Sequence, residues 1–506
     1  MTDNGGYHGV RYRLSSLVLA LLLIISFITA CGGTSSTSTP EQTTAQPEAE
    51  LTETQTETEL TDNLPPDLDF GGAEIKIVHR SDGDLLDKEI LSENETGDVV
   101  ETAIFRRNQQ IEDRLNVRIK AIPVTATVHG GSEVNTAVKK AVTAGSDEYD
   151  IAVNQMSQMA PLAVEGMYLN LLNLPYLDFD QPWWVKDFIT NLTIDNKCYL
   201  MAGDITIMMI GSTYLMFYNK NLYESMFRDN MYELVNGGGW TLDSMYERVS
   251  GAYLDLNGNS KADKEDQFGY CTTSIRFIDA LLVGSDVRIT EKDENGQPYF
   301  VLEQNPKTYQ FVEKAHALLY DGNHTWVIKD DSKGDVEIFE MFNAGTVLYI
   351  TYTMMGASKL RDMEDDFGVI PMVKFDESQP EYTTAPHNGF SALAIITTTK
   401  NPDAVAAFCE AMCAESYKSV TPAYYEIALK EKYSRDPETQ AMLDLIRSSL
   451  KFDFGYVNSA SLNSVMQQFR DLVNGKPDKV ASTLAKNMTK CQQMLETYLE
   501  KYSELG

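Results

Sequence analysis

Cysteine and basic residues are both scarce in this chain of 506 residues. The six cysteines are widely scattered, at Cys31, Cys198, Cys271, Cys409, Cys413 and Cys491. An odd set of five after Cys31, at such spacing, excludes a disulfide framework. Lys and Arg number 42 against 74 Asp and Glu, which gives a formal net charge of -32. Because nucleic-acid binding depends on neutralising phosphates with basic side chains, we expect no nucleic-acid partner.

Sequence signatures of hydrolases and of phosphate-binding loops are also missing. The chain has no Gly-x-Ser-x-Gly, no His-Glu-x-x-His and no Gly-rich loop that ends in Lys-Ser or Lys-Thr. Its six histidines are isolated from one another. Two carboxylates among the 74 acidic residues can still form a glycosidase site. A surface-anchored glycoside hydrolase or lyase therefore stays open as an alternative.

The chain has only one long apolar run, which lies near its start. The run from residue 14 to residue 28 follows Arg11 and Arg13 and is shorter than the roughly 20 residues that cross a bilayer. A basic segment, an apolar core and small residues before a cleavage point are typical of a secretory signal. The sequence therefore predicts a signal peptide over residues 1–30 rather than a membrane anchor.

The end of that run, Ile28-Thr29-Ala30-Cys31, resembles the lipobox of bacterial lipoproteins. The resemblance implies that Cys31 carries lipid on its sulfur and becomes the first residue of the mature chain. Residues 31–66 are mostly Gly, Ser, Thr, Pro, Gln and Glu, which bury too little apolar surface to offset the entropy of ordering. We expect a disordered tether at the extracytoplasmic face of the cell membrane, with the lipid as the only membrane contact.

Residues 67–506 are too many for a single core and predict two α/β lobes. Strand and helix patterns alternate from residue 73 to residue 155, which indicates a parallel sheet covered by helices. Further strands are predicted at 211–219, 346–351, 367–370 and 391–397, a hairpin at Asn295-Gly296, and mostly helix over 404–503. We assign approximately 70–215 and 345–400 to the first lobe and 216–344 and 401–506 to the second. Ligands of such sheets bind in the cleft outside the carboxyl ends of the strands.

Five short segments resemble those of extracellular solute-binding proteins of bacterial ABC importers, in the carbohydrate-type family. They are residues 218–220, 239–243, 255–270, 400–404 and 421–425. The resemblance implies a periplasmic-binding-protein-like fold, in which two α/β lobes joined by a multi-strand hinge close on a sugar or oligosaccharide. It implies delivery to the transmembrane subunits of an ABC permease, and no catalysis. We expect a monomer. A receptor of the same fold for a peptide or another non-sugar solute stays open.

Residues 255–266 have the spacing of a twelve-residue calcium loop. Its ligands would be the side chains of Asp255, Asn257, Asn259, Asp263 and Asp266 with the carbonyl of Lys261. Ser260 stands where such loops carry Gly, and Asp266 is shorter than the usual Glu. We expect no required cofactor, and a structural role for any Ca²⁺ bound here. The alternative is a polar loop closed by Asx turns.

A sugar site needs flat aromatic faces and short polar side chains. The aromatic candidates for ligand contact are Trp183, Trp240, Tyr424 and Tyr425. The polar and flanking candidates lie at or near the ends of predicted strands: Arg80, Ser81, Asp82, Gln155, Met156, Asp204, Asn388 and Gly389. The net charge of -32 favours a neutral ligand. The alternatives are core packing for the aromatic residues and ordinary turn chemistry for the polar ones.

Overall fold

A computed structural model describes residues 60–505, with gaps at 83–84, 93, 127–130, 426–436 and 476. The predicted signal peptide, Cys31 and the predicted tether up to residue 59 lie outside these residues. Within the described ranges, no helix combines the length and the apolar character needed to cross a bilayer.

The described residues form eleven strands: β1 (Ala73–Ser81), β2 (Val117–Thr125), β3 (Ile151–Gln155), β4 (Tyr214–Asn219), β5 (Phe268–Thr273), β6 (Thr290–Lys292), β7 (Pro298–Phe300), β8 (Thr325–Ile328), β9 (Val347–Thr353), β10 (Phe367–Ile370) and β11 (Ser391–Ile395). The first helices are α1 (Leu85–Lys88), α2 (Val99–Leu115), α3 (Ser132–Thr143), α4 (Met156–Ala163), α5 (Lys186–Leu192), α6 (Ile207–Gly211), α7 (Lys220–Met226), α8 (Met231–Asn236) and α9 (Leu242–Gly251). The later helices are α10 (Arg276–Gly284), α11 (Pro306–Tyr320), α12 (Asp331–Asn343), α13 (Pro402–Glu415), α14 (Pro437–Ser448), α15 (Phe454–Val457), α16 (Val465–Asn474) and α17 (Val480–Glu504).

The first sheet has the strand order β11-β3-β1-β2. Strands β1, β2 and β3 are parallel, and β11 is antiparallel to β3. Ile75 and Ile77 of β1 are almost fully buried, as the alternating pattern predicts. Asp98 caps α2, because its carboxylate accepts hydrogen bonds from the backbone N–H groups of Val100 and Glu101. The predicted alternation of strands and helices over residues 73–155 is confirmed.

The second sheet has the strand order β10-β4-β9-β5-β8. Strands β5, β8 and β9 are parallel, whereas β4 is antiparallel to both β9 and β10. All residues of β4, β5, β9 and β10 are buried, so their sequences lack an alternating pattern. The sequence pattern predicts neither β5 nor β8. The predicted hairpin is confirmed as β6 and β7, with Gly296 in its turn at φ 78°.

The sheet membership of two segments differs from the predicted lobe boundaries. Strands β9 and β10 fall within residues 345–400, assigned to the first lobe, but pair with β4 in the second sheet. Helix α13 falls within residues 401–506, assigned to the second lobe, but packs against α2 and β11 of the first sheet. Uniformly buried segments carry no sequence signal that tells which sheet covers them, so order along the chain is an insufficient guide.

Three chain segments, 212–214, 384–387 and 449–451, run side by side next to the two sheets; we call them the crossings. The first leads into β4 and the second leads from β10 to β11. The N–H of Tyr214 donates to the carbonyl of Ala385 at 3.0 Å, and the N–H of His387 donates to the carbonyl of Ser212 at 2.8 Å. Thr384 pairs with residues 449 and 451 through bonds of 2.9 and 2.8 Å. The crossings are therefore a hydrogen-bonded ribbon rather than separate loops.

Candidate functional site

The carboxyl ends of the parallel strands of both sheets meet at the crossings. Strand β11 begins at the end of β3, because Ser391 pairs with Gln155. Strand β4 begins at the end of β9, because Tyr214 pairs with Thr353. We call residues 80–82, 155–156 and 387–389 the first edge, and residues 274–276, 329–335 and 353–355 the second edge. Ligands of open α/β sheets bind outside such strand ends.

Arg80 lies inside the first edge and is only 1% exposed. Its Nη2 donates to the carbonyl of Gly389 at 2.6 Å and to the hydroxyl of Ser391 at 3.1 Å. The Ser391 hydroxyl donates to Glu89 at 2.8 Å. Burial lowers the pKa of Arg80, although the negative charge of Glu89 opposes this shift. Burial likewise raises the pKa of Glu89, although the positive charge of Arg80 opposes it. Arg80 therefore connects β1 to β11. Because its side chain is buried, the prediction that Arg80 contacts ligand does not agree with the structure.

Gln155, Met156, Asn388 and Gly389 lie together at the end of β3. Met156 is fully buried, and its N–H donates to the carbonyl of Phe390 at 2.9 Å. Gln155 is 6% exposed, and its Oε1 has no hydrogen-bond partner among the residues that the structure describes. A buried acceptor without a donor costs free energy, so Gln155 is a candidate to receive a hydrogen bond from a ligand. Asn388 is half-buried and Gly389 is buried.

Ser81 and Asp82 continue the first edge towards solvent. Ser81 is half-buried and Asp82 is exposed. The Asp82 carboxylate accepts a hydrogen bond from the N–H of Leu86 at 3.2 Å, which fixes the start of α1. An exposed carboxylate at this position can accept a hydrogen bond from a ligand hydroxyl group, so the predicted role of Asp82 is compatible with the structure. Residues 83–84 lie outside the described ranges.

Trp183 and Trp240 are fully buried and present no face to a ligand. The indole nitrogen of Trp183 donates to Glu410 at 2.9 Å, and that of Trp184 donates to the other oxygen of Glu410 at 2.8 Å. The indole nitrogen of Trp240 donates to the carbonyl of Pro371 at 3.1 Å. Trp183 and Trp240 therefore pack in the core and do not contact a ligand. Core packing is the alternative that the sequence left open for the aromatic residues.

Asp204, which is buried, forms one cluster with the half-buried residues Tyr425 and Arg447. Asp204 accepts hydrogen bonds of 2.9 Å from Thr421 Oγ1 and from Arg447 Nη2. Burial raises the pKa of Asp204 to about 6, although Arg447 opposes this shift. The Arg447 guanidinium lies 5.7 Å from the ring centre of Tyr425. The cluster holds α14 to the first sheet region, so Asp204 is engaged within the protein.

Tyr424 lies beside the first crossing and is half-buried. A Cβ added to Gly211 would lie 2.9 Å both from the Tyr424 hydroxyl oxygen and from Cγ of Met355, so all three groups are packed closely. Gly211 ends α6 immediately before the crossing at 212–214. Of the four aromatic candidates, Tyr424 is the one that the structure places next to the meeting point of the two edges.

The second edge carries three charged residues that the sequence analysis did not propose. Arg276 Nε lies 2.9 Å from an Asp331 oxygen, and Arg276 Nη1 lies 3.0 Å from an Asp335 oxygen. The hydroxyl of Tyr214 donates to the carbonyl of Arg276 at 3.2 Å, which connects these residues to the start of β4. These residues lie shortly after the ends of β5 and β8. The sequence could identify them by that position only if the two buried strands were recognised.

The loop at residues 255–266 is closed by hydrogen bonds of its own. Asp255 accepts from the N–H of Gly258 at 2.7 Å and from that of Ser260 at 2.8 Å. Asp266 is fully buried and accepts from the N–H of Asp263 at 3.1 Å. Ser260 has φ 61°, the left-handed conformation that a calcium loop requires at its sixth position.

The polar-loop alternative accounts for these contacts without a metal. Asn257 and Asn259 both donate side-chain hydrogen bonds to Asp263, at 3.1 and 2.6 Å. Among the described residues, no group of three or more His, Cys, Asp or Glu side chains is arranged to hold a metal ion. The contribution of Lys261 would be its carbonyl alone. Calcium binding at this loop stays a prediction.

Models of protein families yield no match to this chain, and curated proteins yield no significant sequence match. Several solved structures are similar to the structure of this chain. A cyclic α-maltosyl-1,6-maltose binding protein from Arthrobacter globiformis has a TM-score of 0.55 at 14% identity, over 84% of this chain and 100% of its own. An ABC-transporter-associated binding protein from B. animalis subsp. lactis Bl-04, in complex with β-1,6-galactobiose, has a TM-score of 0.53 at 15% identity. The similarity covers 85% of this chain and 98% of that protein.

A third similar structure is that of UgpB from Mycobacterium tuberculosis in complex with glycerophosphocholine. It has a TM-score of 0.52 at 13% identity, over 85% of this chain and 99% of its own. At these identities the similarity shows a shared fold. The predicted fold class is confirmed: the chain has the α/β, periplasmic-binding-protein-like fold of these binding proteins.

Proposed function

We propose that this chain is the extracytoplasmic solute-binding component of an ABC importer, which captures a sugar or oligosaccharide and delivers it to a permease. The observation that carries this proposal is the meeting of two carboxyl edges at paired crossings. Tyr214 and Ala385 join the chain entering the second sheet to the chain returning to the first. A few residues at such a junction absorb the rotation when two lobes close on a ligand.

The similar structures support a binding role rather than a catalytic one. One of them is described as binding a cyclic maltose derivative, and another is in complex with β-1,6-galactobiose. The third, in complex with glycerophosphocholine, indicates that the same fold also holds a phosphodiester. The charge of the chain gives a further reason to propose a sugar as the ligand, because a net charge of -32 disfavours an anionic solute.

The proposal places the protein at the outer face of the cell membrane, held by a lipid on Cys31. Its support is the junction Ile28-Thr29-Ala30-Cys31 after a basic and apolar segment. Residues 31–66 would then span the distance between lipid and body. The binding unit is a monomer in this proposal, and the permease subunits are its protein partners.

Titration calorimetry of the full chain with a panel of neutral sugars tests this function. The expected result is binding of at least one sugar without chemical change, together with a smaller radius of gyration in small-angle scattering as the lobes close. New reducing ends during incubation would instead support the glycoside hydrolase alternative. Binding of a peptide with no response to any sugar would support the receptor alternative.

A further inference from the structure

Arg276 is ion-paired with Asp331 and Asp335, but the hydrogen bonds within this group are incomplete. The Arg276 Nε–H, one oxygen of Asp331 and one oxygen of Asp335 are covered by protein but have no well-directed hydrogen-bond partner among the described residues. The Arg276 side chain is 14% exposed, whereas the Asp331 and Asp335 side chains are 29% and 39% exposed. The two aspartate side chains are therefore partly open to a ligand, whereas the three atoms without a well-directed hydrogen bond are covered by protein.

A purely structural ion pair in the same protein looks different. Arg470 Nε donates to one oxygen of Asp279 at 2.8 Å and Nη2 donates to the other at 2.5 Å. Asp279 is fully buried, so that pair is both closed and shielded from ligand. Arg276 does have one structural bond, from Nη2 to the carbonyl of Asp331 at 2.9 Å. That bond fixes the guanidinium at the start of α12, where its Nε and Nη1 lie 2.9 and 3.0 Å from the carboxylates of Asp331 and Asp335.

The second edge is connected to the unpaired acceptor of the first edge. The hydroxyl of Tyr214 donates to the carbonyl of Arg276, and the Tyr214 ring packs edge-on against that of His387 at 5.9 Å. His387 Nδ1 accepts from the N–H of Gly389 at 3.0 Å, and a Cβ on Gly389 would lie 3.7 Å from the amide nitrogen of Gln155. These contacts place the crossings between Gln155 and the backbone of Arg276.

We propose that Arg276, Asp331 and Asp335 form the second-edge half of the ligand site and, with Gln155, select a neutral polyhydroxylated ligand over a phosphate ester. The proposal rests on the proposed function and deepens it. A sugar hydroxyl both donates and accepts, so neighbouring hydroxyls can donate to Asp331, Asp335 and Gln155 while one accepts from Arg276. A phosphate group has acceptor oxygens only and would face two carboxylates beside one guanidinium, a repulsive arrangement.

The test is titration calorimetry of the full chain with maltotetraose, β-1,6-galactobiose, maltose and maltose 1-phosphate. Asp335→Asn and Asp331→Asn are expected to weaken binding of the preferred neutral sugar about 10- to 100-fold, because each loses a charged acceptor. Both are also expected to reduce the preference for maltose over maltose 1-phosphate. Asp335 is the more exposed of the two, so its variant keeps the test valid should Asp331→Asn fold poorly.

Glu74→Gln is the matched control, since it removes an exposed carboxylate paired with Lys120 at 3.0 Å, at the amino end of β1. Its affinity for sugar is expected to equal that of the wild type. Hydrogen exchange gives a second readout: sugar should protect residues 274–278 and 329–336 as well as 154–157. A sugar that binds with equal affinity to all variants, or that protects 154–157 alone, overturns the inference while the proposed function stands. Preference for maltose 1-phosphate also overturns it. A folded chain that binds none of the four overturns both.

Discussion

The backbone N–H of His387 donates to the carbonyl of Ser212 at 2.8 Å, across the two crossings that lead into β11 and β4. This bond joins two segments of the chain: the one that returns to the first sheet and the one that enters the second sheet. Because both segments continue directly into buried strands, a small rotation here moves one carboxyl edge relative to the other. In the proposed function, the crossings would be both the floor of the candidate site and the hinge at which it closes.

Substitutions at the rim of the site should reduce ligand affinity. Asp82→Ala removes an exposed acceptor on the first edge, and Tyr424→Ala removes the aromatic face beside the crossings. Each is expected to weaken sugar binding by about 1–3 kcal/mol, through unpaired hydroxyls or a lost stacking face. Titration calorimetry measures this change. Tyr424→Phe, which keeps the ring, should bind nearly as the wild type does; equal affinity in Asp82→Ala and Tyr424→Ala would contradict the assignment.

Trp240→Phe should affect stability and leave affinity unchanged. The substitution deletes the bond from the indole nitrogen to the carbonyl of Pro371 and weakens packing on Tyr349, whose ring centre lies 5.2 Å away. An unpaired buried carbonyl costs about 1–3 kcal/mol, so urea denaturation should show a loss of that size. Since Trp240 is fully buried, sugar affinity should remain that of the wild type. Weaker sugar binding at unchanged stability would show that Trp240 contacts ligand after all.

The first sheet was more predictable from sequence than the second. In β1 the buried positions Ile75 and Ile77 alternate with Glu74 and Lys76, so the pattern identifies both the strand and its inward face. In β5 every residue is buried, and the segment FGYCTT carries no period. The sequence therefore predicts neither β5 nor β8, and Arg276 and Asp331, which follow these strands, have no signal that marks them as strand-end residues.

Aromatic identity alone could not separate site residues from core residues. Trp183 follows a proline in a polar segment, which is compatible with an exposed platform. Its indole nitrogen is instead bound by Glu410, a partner 227 positions away in sequence. The position of Gln155 after a predicted strand, by contrast, does predict its place at the first edge, because the ends of parallel strands share one edge whatever their sequence separation. Its contact with ligand stays a prediction.

Cys31→Ala should release the protein from the membrane. The motive is the junction Ile28-Thr29-Ala30-Cys31, where the sulfur of Cys31 is the proposed site of lipid attachment. We expect the variant in the soluble fraction or as an uncleaved precursor, and no incorporation of labelled palmitate. Fractionation and labelling of the wild type and the variant measure this. Labelled palmitate in the Cys31→Ala protein would show that the lipid is attached elsewhere.

Calcium should raise the melting temperature through the loop at residues 255–266. The backbone of Ser260 already has the required left-handed conformation, and Asp255, Asp263 and Asp266 supply the charge. We expect a higher midpoint in millimolar calcium than in excess chelator, with little change in sugar affinity. Asp263→Asn should abolish the response. Asp293→Asn is the control, since Asp293 also accepts backbone N–H groups in an exposed turn outside this loop. Equal midpoints with calcium and with chelator would exclude this site.

Glu410 should make the folded state less stable as the pH rises. Its carboxylate is 1% exposed and accepts from Trp183, Trp184 and the N–H of Asp178. Burial raises its pKa from the usual 4.5 to about 7, although the indole hydrogen bonds oppose this shift. Between these two values the folded protein therefore holds more protons than the unfolded chain. Stability is greatest below about pH 4.5 as far as this group is concerned, and falls as the pH rises to 7.

The free energy of unfolding, measured by urea denaturation from pH 5 to pH 8, should fall with a slope of at most about 1.4 kcal/mol per pH unit from Glu410. Asp204, whose pKa burial raises to about 6, adds a contribution of the same sign at the lower end of the range. Glu410→Gln removes the titration and should flatten the curve near pH 6–7, at a lower absolute stability because the amide cannot accept from both indoles. Glu165→Gln, which alters an exposed pair with Lys139, should leave the slope unchanged. A slope in Glu410→Gln equal to that of the wild type would mean that Glu410 stays ionised in the folded protein throughout this range.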